Sequence, residues 1–575
     1  MVSGTFVETI RDTYTDPKVH PEVRWEAQVR CGSELPLTEI EFRANRLKKV
    51  VCPAFARFIG VPEAEVTPEN VPVIALAGSG GGYRAMVSTL GYLTACDEAG
   101  VLDCSTYLAG VSGSCWTIMQ YFVAARGSTT ELEKHISQQI TTSLTSVSAL
   151  TGVLTSPAAA SVFAGLVSKF DSGMPLSLVD IYGTLLMSRL LMRSLTSTGD
   201  PADAKLTGQQ RYLADGRLPM PIYTAVRHEI IRTDGKVMRA DDPETGTTVA
   251  GDWKQGLPSM AELKSKMYQW FEFTPYEMGT IDGGGVWIPA WGFGRPFRDG
   301  RSLRNLPEPS AGLYLGMFGS AFCATIAHLI DEVKGTLSAP VHQYLEGLVR
   351  DYQLAVTTTH PIAPSCFHNP FYRPSEESQS EKRTDENTET TTLFDSEQLC
   401  LMDAGMNNNL PFYPLLRPER NVDVMLLFDA SSDIDETPWF ERASKFARQH
   451  GITRWPKGAA PWPRPSPGAH EPPTHNSAPN VRTDGEGSSQ TPTPPSIALV
   501  YYPLLANPEY EVADFDPATA DFCSTYNFSY TPEQVKSLSH LSQYNFMQEK
   551  ENLRDTLKQV WLRKKTYLEK LHGQP

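Results

Sequence analysis

The alternation of hydrophobic and polar residues is clearest from residue 71 onward. An apolar run at 71–77 has the length and composition of a buried strand. The turn that follows, 78–82, is glycine at four of its five positions, and a helical pattern then runs through 83–100. Gly100 suits the C-terminal cap of that helix. The pattern therefore predicts a strand, a glycine turn and a helix.

The same order returns immediately afterwards, with an apolar run at 106–109, a turn at 110–114 and an apolar stretch at 115–125. Two consecutive strand–turn–helix units predict a parallel or mixed sheet flanked by helices. Apolar runs at 399–402 and 422–428 predict further strands. The fold class predicted from these elements is α/β.

Other segments depart from this pattern. The polar, charged stretch 375–392 and the Pro-, Gly- and Ser-rich stretch 455–495 cannot bury a core, and we predict disordered or flexible insertions there. Residues 531–534 form a capping-box motif with proline at the first helical position, which predicts a helix continuing to about residue 571. The uncharged run at 136–168 is rich in Ser, Thr and Gln and predicts packed or lid-associated helices, not a membrane span.

Composition narrows the class of protein. The chain has 575 residues, 41% of them hydrophobic and 20% charged, which excludes disorder throughout. A formal net charge of −15 argues against nucleic acid as the main partner. Nine cysteines are scattered without the close spacing of a metal site, which is typical of reduced cytosolic thiols, and the first residues lack the pattern of a signal peptide.

Candidate chemistry lies in the two turns. Ser112 follows a predicted strand, and Gly110 and Gly113 permit the sharp turn that exposes a nucleophilic serine. The general motif is Gly-x-Ser-x-Gly, however, and its last position here is Ser114, so a simple small-residue turn remains an alternative. The glycines at 78–82 leave backbone N–H groups open to a ligand. Nucleotide-binding versions of such a turn are excluded because Tyr83 and Arg84 replace the residues they require.

Asp403 ends the apolar run of the segment LMDAGMNNNLP. An aspartate with an ordinary pKa near ~3.9 is a poor base for a hydroxyl unless its surroundings change that value. A histidine would be the usual intermediary. Among the histidines that follow Asp403, His540 is the best candidate, and a structural turn aspartate is the other reading of this residue.

Six motifs follow one another along the chain, namely GSGGGYRAM, LAGVSGSCW, FEFTPYEMG, GSAF, LMDAGMNNNLP and ADFDPATADFCSTYNFSY. Taken together, they resemble successive motifs of the cytosolic phospholipase A2 catalytic domain over roughly residues 45–570. Six collinear motifs are far more specific than any one of them. The resemblance implies a three-layer patatin/lysophospholipase-like α/β fold, with a central mixed sheet flanked by helices and an inserted cap.

The resemblance also implies a Ser-Asp dyad without histidine or metal. Ser112 would be the nucleophile, and Asp403 would activate it. The backbone N–H groups of Gly81 and Gly82 would form the oxyanion hole, and Arg84 would face the substrate phosphate or brace the site. The expected reaction is hydrolysis of the fatty acyl esters of glycerophospholipids and lysophospholipids through an acyl-serine intermediate, with no cofactor.

The domain organisation expected from this resemblance is an N-terminal extension, 1–44, and a catalytic domain, 45–575, with a cap at about 310–400. The 44 residues ahead of the match leave no room for the family's calcium-dependent membrane-docking domain, so we do not expect calcium-triggered translocation to membranes. The dyad that the resemblance implies needs no calcium for its chemistry. We expect a cytoplasmic enzyme with transient peripheral contact to intracellular membranes. The alternatives are an α/β-hydrolase esterase with a Ser-Asp-His triad that uses His540, a secreted phospholipase B, and a catalytically inactive lipid-binding protein.

Overall fold

The computed structural model describes residues 8, 10–12, 16–141, 159–191, 205–231, 237–239, 268–323, 346–347, 349–350, 362–373, 392–432, 434, 439–456, 494–510, 512 and 515–572. Almost all of the insertions expected at 375–392 and 455–495 lie outside these residues. So does a large part of the cap expected at 310–400, and all three assignments stay predictions.

Fourteen strands are found in the described residues. They are β1 (Arg30–Cys31), β2 (Ile74–Gly78), β3 (Ser105–Gly110), β4 (Met220–Ile231), β5 (Val237–Arg239), β6 (Tyr268–Phe273), β7 (Glu277–Thr280), β8 (Val286–Pro289), β9 (Phe297–Arg298), β10 (Arg301–Ser302), β11 (Ser365–His368), β12 (Gln398–Asp403), β13 (Val424–Asp429) and β14 (Ala498–Pro503).

The α-helices of the same residues are α1 (Leu37–Arg46), α2 (Cys52–Ile59), α3 (Gly82–Ala99), α4 (Val101–Cys104), α5 (Gly113–Val123), α6 (Thr129–Gln139), α7 (Ala159–Asp171), α8 (Leu178–Leu190), α9 (Gln210–Leu213), α10 (Ala311–Phe318), α11 (Phe412–Leu415), α12 (Trp439–Gln449), α13 (Pro532–Gln548) and α14 (Lys550–His572). None of the described helices is both long enough and apolar enough to cross a bilayer.

The chain divides into two compact units. The first comprises Met1–Glu34, Gln139–Gln210 and Tyr223–Asn407. The second comprises Leu35–Gln138, Arg211–Ile222 and Asn408–Pro575. The division expected at residue 44 stays a prediction, although α1 crosses that position without a break.

The second unit is built on a parallel sheet in the order β3-β2-β13-β14. Every residue of β2, β3 and β13 is buried, as expected for parallel strands covered by helices on both faces. Helix α3 packs closely on α13, where a Cβ at Gly91 would lie only 2.0 Å from the carbonyl oxygen of Ser539. The carboxyl ends of the parallel strands meet at one edge, and the loops after β2, β3 and β13 therefore gather there.

The first unit is dominated by antiparallel pairing. Strands β6, β7 and β8 form a meander that continues to β1 on one side and pairs with β4 on the other. Strand β12 also pairs with β4, and β11 pairs with β12. Helices α8 and α10 pack through glycines, since a Cβ at Gly183 would lie 2.1 Å from the carbonyl oxygen of Gly312.

The expected α/β class, with parallel and antiparallel strands combined, is confirmed, and so are the four predicted strands. Gly100 caps α3 in the left-handed conformation, and Thr531 and Gln534 form the expected capping box. Two expectations were wrong. The last helix is two helices that meet at Glu549, and the cysteines are not all reduced, because Cys366 and Cys400 face each other across β11 and β12 and form a disulfide.

Candidate active site

Ser112 stands at the turn between β3 and α5. Its backbone dihedral angles are φ 50° and ψ −115°, a conformation that non-glycine residues rarely adopt. Only 2% of the residue is exposed. Because Ser112 is the N-cap of an 11-residue helix, the positive end of the helix dipole lies beside it. A strained serine between a strand and a helix is the geometry of a nucleophile turn.

Ser114, which replaces the last glycine of the general motif, ties the nucleophile turn to the glycine turn. Its hydroxyl donates to the carbonyl oxygen of Ser79 at 2.5 Å and lies 2.8 Å from Thr89 Oγ1. The Ser114 hydroxyl also explains the glycine at position 78, where a Cβ would lie 2.6 Å from this oxygen. Serine in place of glycine at position 114 therefore supplies a hydrogen bond between the two turns.

Gly113 brings the backbones of the two turns into direct contact. A Cβ at this position would lie 2.1 Å from the carbonyl oxygen of Gly82, closer than any side chain tolerates. The backbone N–H of Val111 also donates to the carbonyl oxygen of Gly78 at 3.1 Å. Ser112 is therefore held directly beside the start of α3.

The glycine turn has a conformation that requires glycine. Gly81 has φ 138° and Gly82 has φ 60°, and L side chains are strained at both values. Gly82 is the first residue of the 18-residue helix α3, whose first N–H groups have no acceptor within the helix. Side-chain-free amides at a helix N-terminus can bind the negative oxygen of a tetrahedral intermediate.

Arg84 braces the loops around the glycine turn. Its Nε donates to the carbonyl oxygen of Ala430 at 2.9 Å, and Nη1 donates to that of Cys523 at 3.0 Å. Nη1 also lies 3.3 Å from Thr525 Oγ1, and the residue is 8% exposed. Of the two roles expected for Arg84, these contacts favour bracing over binding of the substrate phosphate.

Asn409 contacts the glycine turn and was not singled out from the sequence. Its Nδ2 donates to the carbonyl oxygen of Gly80 at 3.1 Å and to Ser431 Oγ at 2.5 Å. The Ser431 hydroxyl donates in turn to Asp429 Oδ1, and the hydroxyl of Tyr501 donates to Asp429 Oδ2 at 2.9 Å. A chain of hydrogen bonds thus leads from the end of β13 to the glycine turn.

Burial sets the protonation of two groups in the second unit. It raises the pKa of Tyr501 well above its ordinary value, and the charge of Asp429 acts in the same direction. Burial also raises the pKa of the Cys523 thiol to about 12. At neutral pH the Tyr501 hydroxyl therefore remains a proton donor, and the Cys523 thiol is not a nucleophile.

Asp403 is the last residue of β12, in the first unit, and is 2% exposed. Its backbone N–H donates to Ser320 Oγ at 3.0 Å, and its Oδ1 accepts the N–H of Gly405 at 2.9 Å. The motif GSAF thus supplies Ser320 to hold Asp403. The short turn 404–406 ends the strand immediately after Asp403 and fixes its carboxylate at the strand end.

His540, the histidine of the triad alternative, lies on α13. Its Nε2 lies 3.3 Å from Oε1 of Glu133 on α6, and both side chains are about one-third exposed. The carboxylate partner that the structure gives His540 is therefore Glu133. Among the residues described, no group of three or more His, Cys, Asp and Glu side chains could hold a metal ion.

The structure brings four of the five expected site residues together in the second unit, namely Ser112, Gly81, Gly82 and Arg84. Asp403 belongs to the first unit, and its meeting with Ser112 stays a prediction. The sequence did not reveal the residues of the hydrogen-bond chain that reaches the glycine turn, which are Asn409, Ser431, Asp429 and Tyr501. The run of three asparagines in LMDAGMNNNLP was the available signal, but no pattern indicated which asparagine contacts the glycine turn.

A strained serine beside glycine backbone amides, on an α/β fold, is the arrangement found in serine ester hydrolases, and this protein has that arrangement. The chain belongs to the lysophospholipase catalytic domain family, whose model matches residues 74–451.

Curated relatives agree with this assignment. Cytosolic phospholipase A2 beta of Homo sapiens is 24% identical, over 98% of this chain and 71% of its own length. Cytosolic phospholipase A2 zeta of Mus musculus is 26% identical, over 92% of this chain but only 62% of its own length. Among solved structures, human GIVD cytosolic phospholipase A2 matches with a TM-score of 0.65 and 22% identity, over 93% of this chain and 66% of that chain. This structural likeness shows that the fold is shared.

Proposed function

We propose that this chain hydrolyses the fatty acyl esters of glycerophospholipids and lysophospholipids through an acyl-enzyme on Ser112. The observation that carries the proposal is the contact between the nucleophile turn and the glycine turn, in which the Gly113 backbone abuts the Gly82 carbonyl oxygen. This contact supports an oxyanion hole, formed by the N–H groups of Gly81 and Gly82, next to the nucleophile.

Asp403 is the proposed base. It ends a strand, is nearly fully buried and is held by Ser320 and Gly405. The chain continues from Asp403 to Asn409, which contacts Gly80 next to the proposed oxyanion donors.

In the proposed reaction, Ser112 Oγ transfers its proton to Asp403 and attacks the carbonyl carbon of the acyl ester. The N–H groups of Gly81 and Gly82 bind the oxyanion. The intermediate collapses, the ester C–O bond breaks, and Asp403 returns the proton to the departing lysolipid or glycerophosphodiester oxygen. Asp403 then takes a proton from a water molecule as the water oxygen attacks the acyl carbonyl. When the acyl C–Oγ bond breaks, Asp403 gives this proton to Ser112 Oγ, which releases the fatty acid and restores both side chains.

The remaining parts of the proposal concern the cell and the substrate surface. We propose a cytoplasmic enzyme that makes transient peripheral contact with intracellular membranes and needs no calcium for the chemical steps. Curated relatives are named as cytosolic, which supports the location. Unchanged fatty acid release in the presence of a calcium chelator is the expected result, and a loss of turnover would contradict the calcium-independent reaction.

The experiment that tests the reaction is mass-spectrometric product analysis on a diacyl phospholipid and on its lysophospholipid. The wild-type protein should release fatty acid. The Ser112→Ala variant should lose at least ~10⁴-fold in kcat because the nucleophile is gone, and Asp403→Asn about as much because the base is gone. Activity of Ser112→Ala near the wild-type level would refute the proposal.

Two further measurements address the alternatives. His540→Ala should keep near-normal turnover, whereas a Ser-Asp-His triad requires a loss of ~10³-fold or more. A fluorophosphonate probe should label wild-type protein at Ser112 and leave Ser112→Ala unlabelled. Human GIVD cytosolic phospholipase A2 has been solved in complex with methyl gamma-linolenyl fluorophosphonate, which supports the choice of probe. Absence of both labelling and turnover would favour an inactive lipid-binding protein.

A further inference from the structure

We infer that Asn409 is a positioning residue that orients the N–H of Gly81 toward the oxyanion, and that Ser431 and Asp429 hold the Asn409 amide in the orientation this requires. The inference rests on the proposed function, because it gives these residues a role in the same reaction. It concerns the second unit alone.

The geometry of the peptide group connects Asn409 to the oxyanion hole. The carbonyl of Gly80 and the N–H of Gly81 belong to one peptide plane, and in a trans peptide they point in opposite directions. Asn409 Nδ2 and Ser79 Oγ each donate to the Gly80 oxygen at 3.1 Å. Fixing this oxygen therefore fixes the direction in which the Gly81 N–H points.

These two donors hold the peptide plane between Gly80 and Gly81 at a place where the backbone itself is permissive. Gly81 lies at φ 138°, and glycine has the widest choice of backbone conformations. The backbone of Asn409 contributes a second contact, because its carbonyl oxygen accepts the N–H of Gly80 at 3.0 Å. Both sides of residue 80 are thus bound by residue 409.

The hydrogen-bond chain determines which way the Asn409 amide faces. The carboxylate of Asp429 only accepts, and it receives the Ser431 N–H at 2.9 Å, the Ser431 hydroxyl and the Tyr501 hydroxyl. Since the Ser431 hydroxyl gives its proton to Asp429, its oxygen accepts from Asn409. Nδ2 therefore faces Ser431 and, with its second hydrogen, the carbonyl oxygen of Gly80.

The Asn409 side chain also packs closely against Gly80. Its Oδ1 would lie 2.3 Å from a Cβ at Gly80, and that Cβ would be 3.2 Å from the Cβ of Ser112. The amide thus packs against Gly80 on the side next to the nucleophile. A substitution at 409 therefore acts next to the reacting atoms.

The test measures kcat, KM and the rate of labelling by the fluorophosphonate probe for Asn409→Ala and Asn409→Asp. Both keep the backbone hydrogen bond to Gly80. We expect Asn409→Ala to lower kcat and the labelling rate by ~10- to 100-fold with little change in KM, less than the 10²–10³-fold loss from removing an oxyanion donor outright. Asn409→Asp should lose more, because it presents an acceptor to the Gly80 oxygen.

The matched control is Asn507→Ala, which removes another amide of the same unit, one that donates to Asn545 and Gln548. It should lower the melting temperature but leave kcat unchanged. A double-mutant cycle tests the coupling: Ser431→Ala should lower kcat in the wild-type background and have no further effect in Asn409→Ala.

The outcomes separate this inference from the proposed function. If Ser112→Ala abolishes turnover while Asn409→Ala stays within twofold of the wild-type kcat, the role of Asn409 is refuted and the dyad reaction stands. Additive effects of Ser431→Ala and Asn409→Ala would also refute it. If the wild-type protein releases no fatty acid, the proposed function fails and the role of Asn409 fails with it.

Discussion

Replacing Gly113 with alanine tests the contact between the two turns. The new Cβ would lie 2.1 Å from the Gly82 carbonyl oxygen, and real Cβ atoms do not approach closer than 3.0 Å. The turns must therefore separate by at least 0.9 Å, the difference between these two distances. Alanine favours a helix over glycine by up to ~1 kcal/mol, and overpacking costs ~1–3 kcal/mol, so the net loss of stability should be small.

The loss of activity should be large. A displacement of about 1 Å between a nucleophile and its oxyanion donors costs on the order of 10²-fold in rate. We therefore expect the kcat of Gly113→Ala to fall by ~10²-fold, measured as fatty acid release from a lysophospholipid. The free energy of unfolding, measured in urea, should fall by no more than ~2 kcal/mol.

Gly183→Ala is the matched control for this prediction. Its Cβ would meet the Gly312 carbonyl oxygen at the same distance of 2.1 Å, in a helix contact of the first unit. It should lose similar stability and keep its kcat. The reasoning would be refuted if Gly113→Ala stayed within threefold of the wild-type kcat, or if both variants lost activity equally.

Two further predictions concern charged residues. Arg84→Lys should lower kcat equally on a phospholipid and on an uncharged p-nitrophenyl ester, because the guanidinium holds the loops that carry Ala430 and Cys523. A loss of kcat confined to the phospholipid would indicate that Arg84 binds the substrate phosphate instead. Burial raises the pKa of Glu308 from 4.5 to about 7, so the folded state retains a proton that the unfolded state releases, and stability falls as pH rises through that window. Glu308→Gln should remove this pH dependence, which is worth about 3 kcal/mol in the free energy of unfolding. The variant should therefore have a higher melting temperature than wild type at pH 8 but not at pH 4.5. A melting-temperature difference that is the same at both pH values would contradict the raised pKa of Glu308.

The local elements of the second unit could be predicted because their signals lie close together in the sequence. An apolar run followed by a glycine turn specifies each of β2 and β3, and Gly100 and the capping box at 531–534 mark helix ends. In the first unit the apolar run at 399–402 predicted β12, but the antiparallel strands β6, β7 and β8 carried no comparable signal. In β6, with the sequence YQWFEF, all five residues after the first are buried, although two of them, Gln269 and Glu272, are polar or charged, so no alternation was visible.

The disulfide was missed for a similar reason. Cys366 and Cys400 are 34 residues apart, and only the register of β11 and β12 sets them opposite each other. The scattered spacing of the nine cysteines is typical of reduced thiols and gave no indication of this pair. Cross-strand neighbours are determined by pairing register, which depends on the whole sheet.

The architecture of the second unit explains why one part of the site was visible in the sequence and another was not. Because β3, β2 and β13 are adjacent and parallel, with Gly78 opposite both Gly110 and Phe428, the loops after the three strands lie at one edge of the sheet. Two of these loops carry glycines that indicate their chemistry. The third begins with Ala430 and Ser431, ordinary residues that gain their roles from the neighbouring loops, since the Ala430 carbonyl oxygen accepts from Arg84 and the Ser431 hydroxyl oxygen accepts from Asn409. The order of the strands in the sheet, and not a local sequence motif, places Ala430 and Ser431 beside the glycine turn. In related folds, residues that hold the glycine turn should therefore be sought in the loop after the strand adjacent to it.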